Sequence, residues 1–463
     1  MLKKLYTIIF FFGLFFFSFN EFEGLPFLGE FQNEAGAFFF LLGFAILIAT
    51  GKIGIPLKSI YFQIVLLFLA WCIVCTVINL PTVIDSYFKR TYGLSRFVRQ
   101  YFSLILSSIV FFLLYWNVVK DMLLKDILFK IRRVFFWSLI VASVYGFLET
   151  LFTVFHIAAV YPLLKILSYF PFIEVRLHEA RISSIAYEPP FLAIYLITIA
   201  GWMFSYIITE KRWFKFVPTF AVLVLTYFSG SRTGLFVVFI QLLVFLAFLY
   251  KTAKYRKYIA YTAVFLFVGV GGLLALNAEK VIKSVETKLE SLNFSDNLTK
   301  NVSNQSRFGM QYASIQVFKE HPVAGVGFGQ QSYHSRFHYP KWATKKNWEF
   351  KYLYKNPKEP SFPPGYNIYT RILAETGVVG FGLFIWLIYF LITRSRRFVK
   401  QRNGDEKIMA LVLLISFTGF AINWLQIDTF RMYGFWLCLA ILIKLASYKQ
   451  TTNEQDSTLN SAL

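Results

Sequence analysis

Apolar runs of membrane-spanning length recur along this chain, separated by short polar connections, at residues 5–20, 35–50, 60–80, 101–119, 134–155, 189–208, 213–229, 232–250, 258–276, 367–393, 408–425 and 430–447. Crossing a hydrocarbon core of about 30 Å takes roughly 20 apolar residues in a helix. Hydrocarbon offers the backbone no hydrogen-bond partner, so each run is expected to be helical. The first run follows the basic start Met1–Lys4 and reaches Phe19 with no small-residue cleavage pattern after it, which reads as a first span and not a leader. The pattern predicts an all-α, polytopic membrane protein of about a dozen spans.

Charge orients these spans. With the N-terminus inside, the inner connections are Gly51–Ser59, Lys120–Arg133, Thr209–Arg212, Lys251–Lys257 and Arg394–Lys407, and each carries Lys or Arg. The first outer loop, Asn20–Ala35, holds Glu21, Glu23, Glu30 and Glu34 and no basic residue, as the positive-inside rule requires. Both termini are then cytoplasmic. Outer loop Leu80–Gln100 departs from the rule, with Lys89, Arg90, Arg96 and Arg99 against the single acid Asp85. Two readings stand for these cations: snorkelling to headgroups, or binding an anionic lipid-linked substrate.

Between Leu276 and Tyr366 the apolar pattern stops. The chain therefore divides into a membrane part at 1–276, a large outer loop with short helices at 277–366, further spans at 367–447 and a polar cytoplasmic tail at 448–463. Within the loop, Val281, Val285, Leu289 and Leu292 form one helical stripe suited to the membrane surface. Asn293–Ser306 reads as polar and mobile, and its three Asn-x-Ser/Thr triplets read as chance occurrences.

Composition adds to this picture. The chain is 57% hydrophobic and 20% aromatic, above the 45–50% apolar content of about an average soluble domain. Its net charge of +22 lies mostly in clusters between spans, a topological pattern and not a nucleic-acid footprint. Cys72, Cys75 and Cys438 all fall in apolar segments, so neither a disulfide framework nor a zinc pattern is expected.

Ionisable residues at the mouths of membrane helices are the default candidates for chemistry. Arg232 sits in Ser229-Gly-Ser-Arg-Thr-Gly-Leu235 between two spans, where a guanidinium either grips phosphate bidentately or anchors a helix hairpin at the interface. Arg181 and Glu188 precede the next candidate helix start, Pro189-Pro190. Glu188 at an apolar boundary is either a base with a raised pKa or the partner of an arginine. The outer loop carries Arg307, a helical run to Phe318, and His321-Pro-Val-Ala-Gly325-Val-Gly327-Phe-Gly329, whose alternating glycines would let a ligand approach backbone amides. No strand-forming run precedes it and no Lys-Ser/Thr follows, so it is not a nucleotide loop. His321, His334 and His338 fit no metal spacing. Finally, Tyr366-Asn367 opens the tenth run, and Arg371 and Glu375, four apart, share a helix face as an internal pair or as functional groups.

Taken in order, Ser-Gly-Ser-Arg-Thr-Gly-Leu, the loop arginine with His-Pro-x-x-Gly-x-Gly-x-Gly, and Asn-x-Tyr followed by Glu-Thr-Gly-Val-Val-Gly resemble the O-antigen polymerase and O-antigen ligase superfamily of bacterial envelope enzymes. The resemblance covers about residues 180–395. It implies a membrane glycosyltransferase of GT-C type, needing no cofactor or metal, at the outer face of the inner membrane with its large loop in the periplasm. Its substrates would be glycans on undecaprenyl pyrophosphate, its surroundings membrane lipids, and its partners a chain-length regulator and a flippase. By resemblance Arg232 and Arg307, with Arg181 behind them, bind the pyrophosphate. Arg232, Glu188 and His321 are the catalytic candidates, and Gly325, Gly327, Gly329, Tyr366, Asn367, Arg371 and Glu375 are acceptor or loop contacts. Ligases of the family typically carry His-Asn where this chain has Tyr366-Asn367. The expected activity is therefore polymerisation of repeat units. Ligation to lipid A core, and transport of lipid-linked glycans, are the alternatives; a transporter would show paired halves, and no such repeat is visible.

Overall fold

The apolar runs fold as helices in the computed structural model, which describes residues 1–22, 24, 29, 31–167, 169–170, 177, 181–251, 256 and 301–447. The expected span at 258–276, the stripe at 281–292, the first two Asn-x-Ser/Thr triplets and the tail at 448–463 lie outside the described residues. In chain order the helices are α1 (Leu2–Phe16), α2 (Ala35–Ala49), α3 (Ile60–Ile78), the short α4 (Leu80–Asp85), α5 (Gly93–Val119), α6 (Leu124–Thr153), α7 (Ala158–Leu167), α8 (Pro189–Thr209), α9 (Trp213–Phe228) and α10 (Arg232–Tyr250). They continue with α11 (Val302–Glu320), α12 (Gln331–Ser335), α13 (Lys341–Thr344), α14 (Ile368–Gln401), α15 (Gly404–Asn423) and α16 (Tyr433–Ser447). Six of these, α3, α5, α6, α8, α10 and α14, are long and apolar enough to cross a membrane, and shorter apolar helices accompany them. Tyr87–Phe88 and Thr91–Tyr92 form a small antiparallel hairpin.

Several boundaries differ from the sequence reading. α5 begins at Gly93, so Arg96 and Arg99 lie on its first turns and not in a loop. α6 begins at Leu124, inside the expected inner connection. Its 30 residues extend about 45 Å, and the buried Arg132 near its start donates to Ser205 Oγ at 3.2 Å and Thr209 Oγ1 at 2.6 Å. The stretch expected to be mobile up to Ser306 is helical from Val302, because the Asn301 side chain accepts from Asn304 N at 3.2 Å and caps α11.

Among the six membrane-length helices α8 is the most enclosed, packed against α9, α10 and α15, while α1 pairs with α2 and α3 runs along α14. Outward faces are apolar too. Leu235, Phe236, Phe239 and Leu243 of α10 and Ile385, Trp386 and Tyr389 of α14 are exposed at helical spacing, the surface a lipid solvent calls for. One end of the bundle is tied by Lys3 to Asp121 at 2.6 Å and by Lys444 to the Lys120 carbonyl at 2.5 Å. The other is tied by Ile182 N to Phe228 O, Ile368 N to Trp424 O, and Glu34 to Arg431 and Tyr433. The second end carries the candidate residues.

α14 is broken at Gly377, whose φ of 64° and ψ of −166° leave the helical region. The Pro322–Phe328 segment occupies the break. Val326 N donates to Ala374 O at 3.0 Å, Gly327 N to Glu375 O at 2.9 Å, and Val378 N to Pro322 O at 2.8 Å. A Cβ on Gly377 would lie 2.1 Å from Val323 O. Gly377→Ala is therefore expected to cost about 3 kcal/mol or more. Gly382→Ala in the same helix, where a Cβ meets nothing within 4 Å, is expected to be neutral or to add about 0.5 kcal/mol. Thermal unfolding of both variants in detergent, compared with wild type, checks the pair.

Candidate functional site

Arg232 opens α10 as its first residue. Ser231 caps the helix by accepting from Gly234 N at 3.1 Å, and Gly230, at φ 62°, makes the tight turn before it. A cation beside the positive end of its own helix dipole is repelled by it, so both fields add toward an anion placed there. Arg181 comes to the same turn. Its Cγ lies 2.9 Å from where a Gly230 Cβ would stand, and Ile182 N donates to Phe228 O at 3.1 Å. Only glycine lets the Arg181 side chain lie across the turn.

Arg307, on the second turn of α11, joins through Gln426. Thr233 Oγ1 and Arg307 Nη1 both donate to Gln426 Oε1, the latter at 3.3 Å. Three guanidinium groups from distant parts of the chain thus border one patch. Arg181 and Arg232 are exposed and Arg307 half-buried, and among the described residues none of them forms an ion pair. Such a cluster of unneutralised donors suits a dianionic phosphate group.

Other candidates have structural work instead. The glycine loop was expected to offer amides to a ligand, yet Gly325, Gly327 and Gly329 are buried and their neighbours' amides are taken. Gly325 abuts the Glu375–Thr376 backbone, and Phe328 N donates to Thr76 Oγ1 at 3.0 Å. Asn367 caps α14, accepting from Tyr369 N at 2.9 Å and Thr370 N at 3.2 Å. Arg371 and Glu375 do form the internal pair, at 3.1 Å, and Arg371 also donates to Gln100 Oε1 at 2.8 Å and Asp428 O at 2.6 Å. His321 ends α11, fourteen residues after Arg307, which is about 21 Å along a helix. The structure does not bring it to the arginines. His334, pushed down to about 4 by burial, then by His321 and Arg336, is neutral at pH 7. Glu188 precedes α8 with a half-buried side chain and no ion pair among the described residues. It adjoins a cleft of about 340 Å³ lined by Asn20, Gly29, Gln32, Asn33, Glu34, Tyr187, Phe191 and Arg431.

Two functional supports escape sequence reasoning. Gln426 is a single amide between spans, and only its contacts reveal it. Glu149, fully buried in α6, accepts from Ser183 N at 3.0 Å and Ser184 N at 2.7 Å, holding the segment that carries Arg181. An ionisable residue inside an apolar run was the signal for it.

Residues 217–385 match the family described as O-antigen ligase. The segment runs from α9 to the middle of α14 and includes Arg232, Arg307, the glycine loop and Tyr366. The match spans just over a third of the chain and supports its assignment to the O-antigen ligase and polymerase superfamily, whose members are membrane enzymes of envelope polysaccharide synthesis acting on lipid-linked glycans. No curated protein matches the chain.

Three of the four excess cations of residues 80–100 make contacts within the protein. Buried Lys89 donates to the carbonyls of Leu353 at 2.6 Å, Glu359 at 3.2 Å and Ser361 at 2.7 Å. Arg96 stacks on Phe362 at 3.8 Å, and Arg99 donates to Thr91 Oγ1 at 3.1 Å. Lys89→Met would leave three carbonyls without their donor, at about 2–3 kcal/mol. Limited proteolysis is expected to nick the variant within residues 353–361 well before wild type.

Proposed function

We propose that this protein polymerises oligosaccharide repeat units carried on undecaprenyl pyrophosphate into O-antigen, capsular or exopolysaccharide chains at the outer face of the bacterial inner membrane. The observation that carries this reading is the convergence of Arg181, Arg232 and Arg307, all without ion-pair partners among the described residues, around Gly230 and Gln426. In this orientation both termini and the Lys3, Lys120 and Lys444 end face the cytoplasm. The loop at 277–366 is then periplasmic, between the membrane parts 1–276 and 367–447.

The reaction needs what this patch offers. A sugar hydroxyl of the acceptor attacks the anomeric carbon of the donor, and the lipid pyrophosphate departs with the bonding electron pair. Guanidinium groups already in position stabilise that developing charge without reorganising, the role a metal ion fills elsewhere. Arg232 and Arg307 receive the pyrophosphate and Arg181 completes the rim. Flippase and chain-length regulator are partners this reaction calls for, one supplying the substrate and the other limiting the product. The match to a family described as O-antigen ligase favours transfer to lipid A core as the second reading, and Tyr366 in place of histidine speaks for polymerisation.

Envelope glycans from cells carrying wild type, Arg232→Ala, Arg307→Ala or a deletion test the proposal. The deletion is expected to leave a single repeat unit on its acceptor, and each arginine variant to lower chain synthesis by about 100-fold at unchanged membrane abundance. Long chains left on the lipid carrier after deletion would establish a ligase instead. Full-length chains from normally inserted Arg232→Ala protein would remove Arg232 from the site.

A further inference from the structure

Beside the arginines lies a chain of hydroxyl groups that the pyrophosphate site does not explain. Residues Glu349–Tyr354 form one π-helical turn, whose i to i+5 geometry sets its first and last side chains together. Tyr354 Oη donates to Glu349 Oε2 at 3.0 Å, and Tyr354 and Tyr366 share a hydrogen bond of 2.7 Å between their hydroxyls. An ionised carboxylate only accepts, so the single Tyr354 proton is committed to Glu349. Tyr366 must then be the donor in the second bond. Its own oxygen keeps a lone pair for an incoming donor.

The far end of this chain faces the arginine patch. The Arg307 guanidinium stands 5.5 Å from the centre of the Tyr366 ring, and Arg307 is the residue linked through Gln426 to Thr233. Tyr366 itself is held at φ 55°, in the left-handed region that a tyrosine seldom adopts. Strain of this kind persists where surrounding structure over-determines it, and it clusters at functional sites. Asn367, which caps α14 immediately afterwards, and Gly365, whose amide donates to Asp428 at 2.6 Å, clamp it on both sides. Burial pushes both phenols above their ordinary range. They stay protonated at neutral pH and move a proton by exchange.

Resting on the polymerase reading, we propose that Tyr366 takes the proton of the attacking sugar hydroxyl and that Tyr354 and Glu349 relay it away. In one concerted step the acceptor hydroxyl gives its proton to Tyr366 Oη, the Tyr366 proton moves to Tyr354, and the Tyr354 proton moves to Glu349, which becomes the neutral acid. The freed oxygen forms the new bond to the anomeric carbon while the bond to the pyrophosphate oxygen breaks, and that oxygen keeps the electron pair. Half-exposed Glu349 returns its proton to water. Tyr366 is the catalytic residue, and Tyr354 and Glu349 are positioning residues that act through it.

Full-length protein in proteoliposomes, supplied with the lipid-linked repeat-unit fraction extracted from cells lacking this chain, tests the relay by initial rates of dimer formation. Glu349→Gln still accepts from Tyr354 but cannot take up a proton. It and Tyr366→Phe are expected to lower kcat by about 100-fold, with KM within about two-fold of wild type and partial recovery in Glu349→Asp. Wild-type kcat in both variants, or a loss confined to KM, would overturn the relay and leave the polymerase reading intact. Should Tyr366→Phe fail to fold, Glu349→Gln decides alone. Wild-type protein that forms no dimer would overturn the polymerase reading and the relay with it.

Discussion

A helix that breaks inside a membrane bundle has to find new partners for its freed amides and carbonyls, because lipid supplies none. α14 breaks at Gly377, and the partners come from the polar segment at Pro322–Gly327. Each side completes the other. The loop's amides satisfy Ala374 and Glu375, and the loop in return gains a rigid wall against which Gly325 packs at backbone distance. From that joint α11 is aimed along α14, bringing Arg307 over Tyr366 and within reach of Gln426. The break thus adds to the other ties of the polar segment, Phe328 N to Thr76 and Gln330 to the Gly93 carbonyl.

Electrostatics sorts the basic residues into two populations. Lys89, Arg132, Arg371 and Arg431 are enclosed, and each is met by carbonyls, hydroxyls or carboxylates, since a buried unpaired charge is strongly destabilising. Among the described residues Arg181, Arg232 and Arg307 have no carboxylate partner, and Arg307 donates only to the Gln426 amide oxygen. They sit at helix starts and turns on one end of the bundle, where water solvates them until an anion arrives. The chain also spends glycine to bring them close, since any side chain at 230 would displace Arg181.

Helix identity is legible in the sequence wherever an apolar run is long, as at 60–78, 189–209 and 232–250, because burial in lipid demands length and apolarity together. Helix starts are less legible. Gly93–Gln100 and Leu124–Arg133 are polar enough to read as loops, yet each is the helical start of a longer span. At the site, Arg232 and Arg307 stand out as lone cations beside small residues, and the family resemblance selects them. The glycine loop misleads for a physical reason. Alternating glycines permit close approach of any backbone, and the approaching one is the protein's own α14. Gln426 carries no spacing signal, since its role arises from contacts with Thr233 and Arg307, distant in sequence, and Glu349 meets Tyr354 only because their segment folds as a π-helical turn.

In the proposed reaction the placement of proton acceptor and anion receiver follows from the chemistry each would do. A leaving pyrophosphate accumulates charge that only cations can hold, so a strong anionic base at its side would compete for the same guanidinium groups and neutralise them. Glu349 is kept two hydroxyls away from Arg307, at the end of the Tyr366–Tyr354 chain. The carboxylate can still receive a proton through neutral phenols, while Arg307 forms no ion pair with it. Separating base from cation by a neutral relay lets both functions share a site only a few side chains wide.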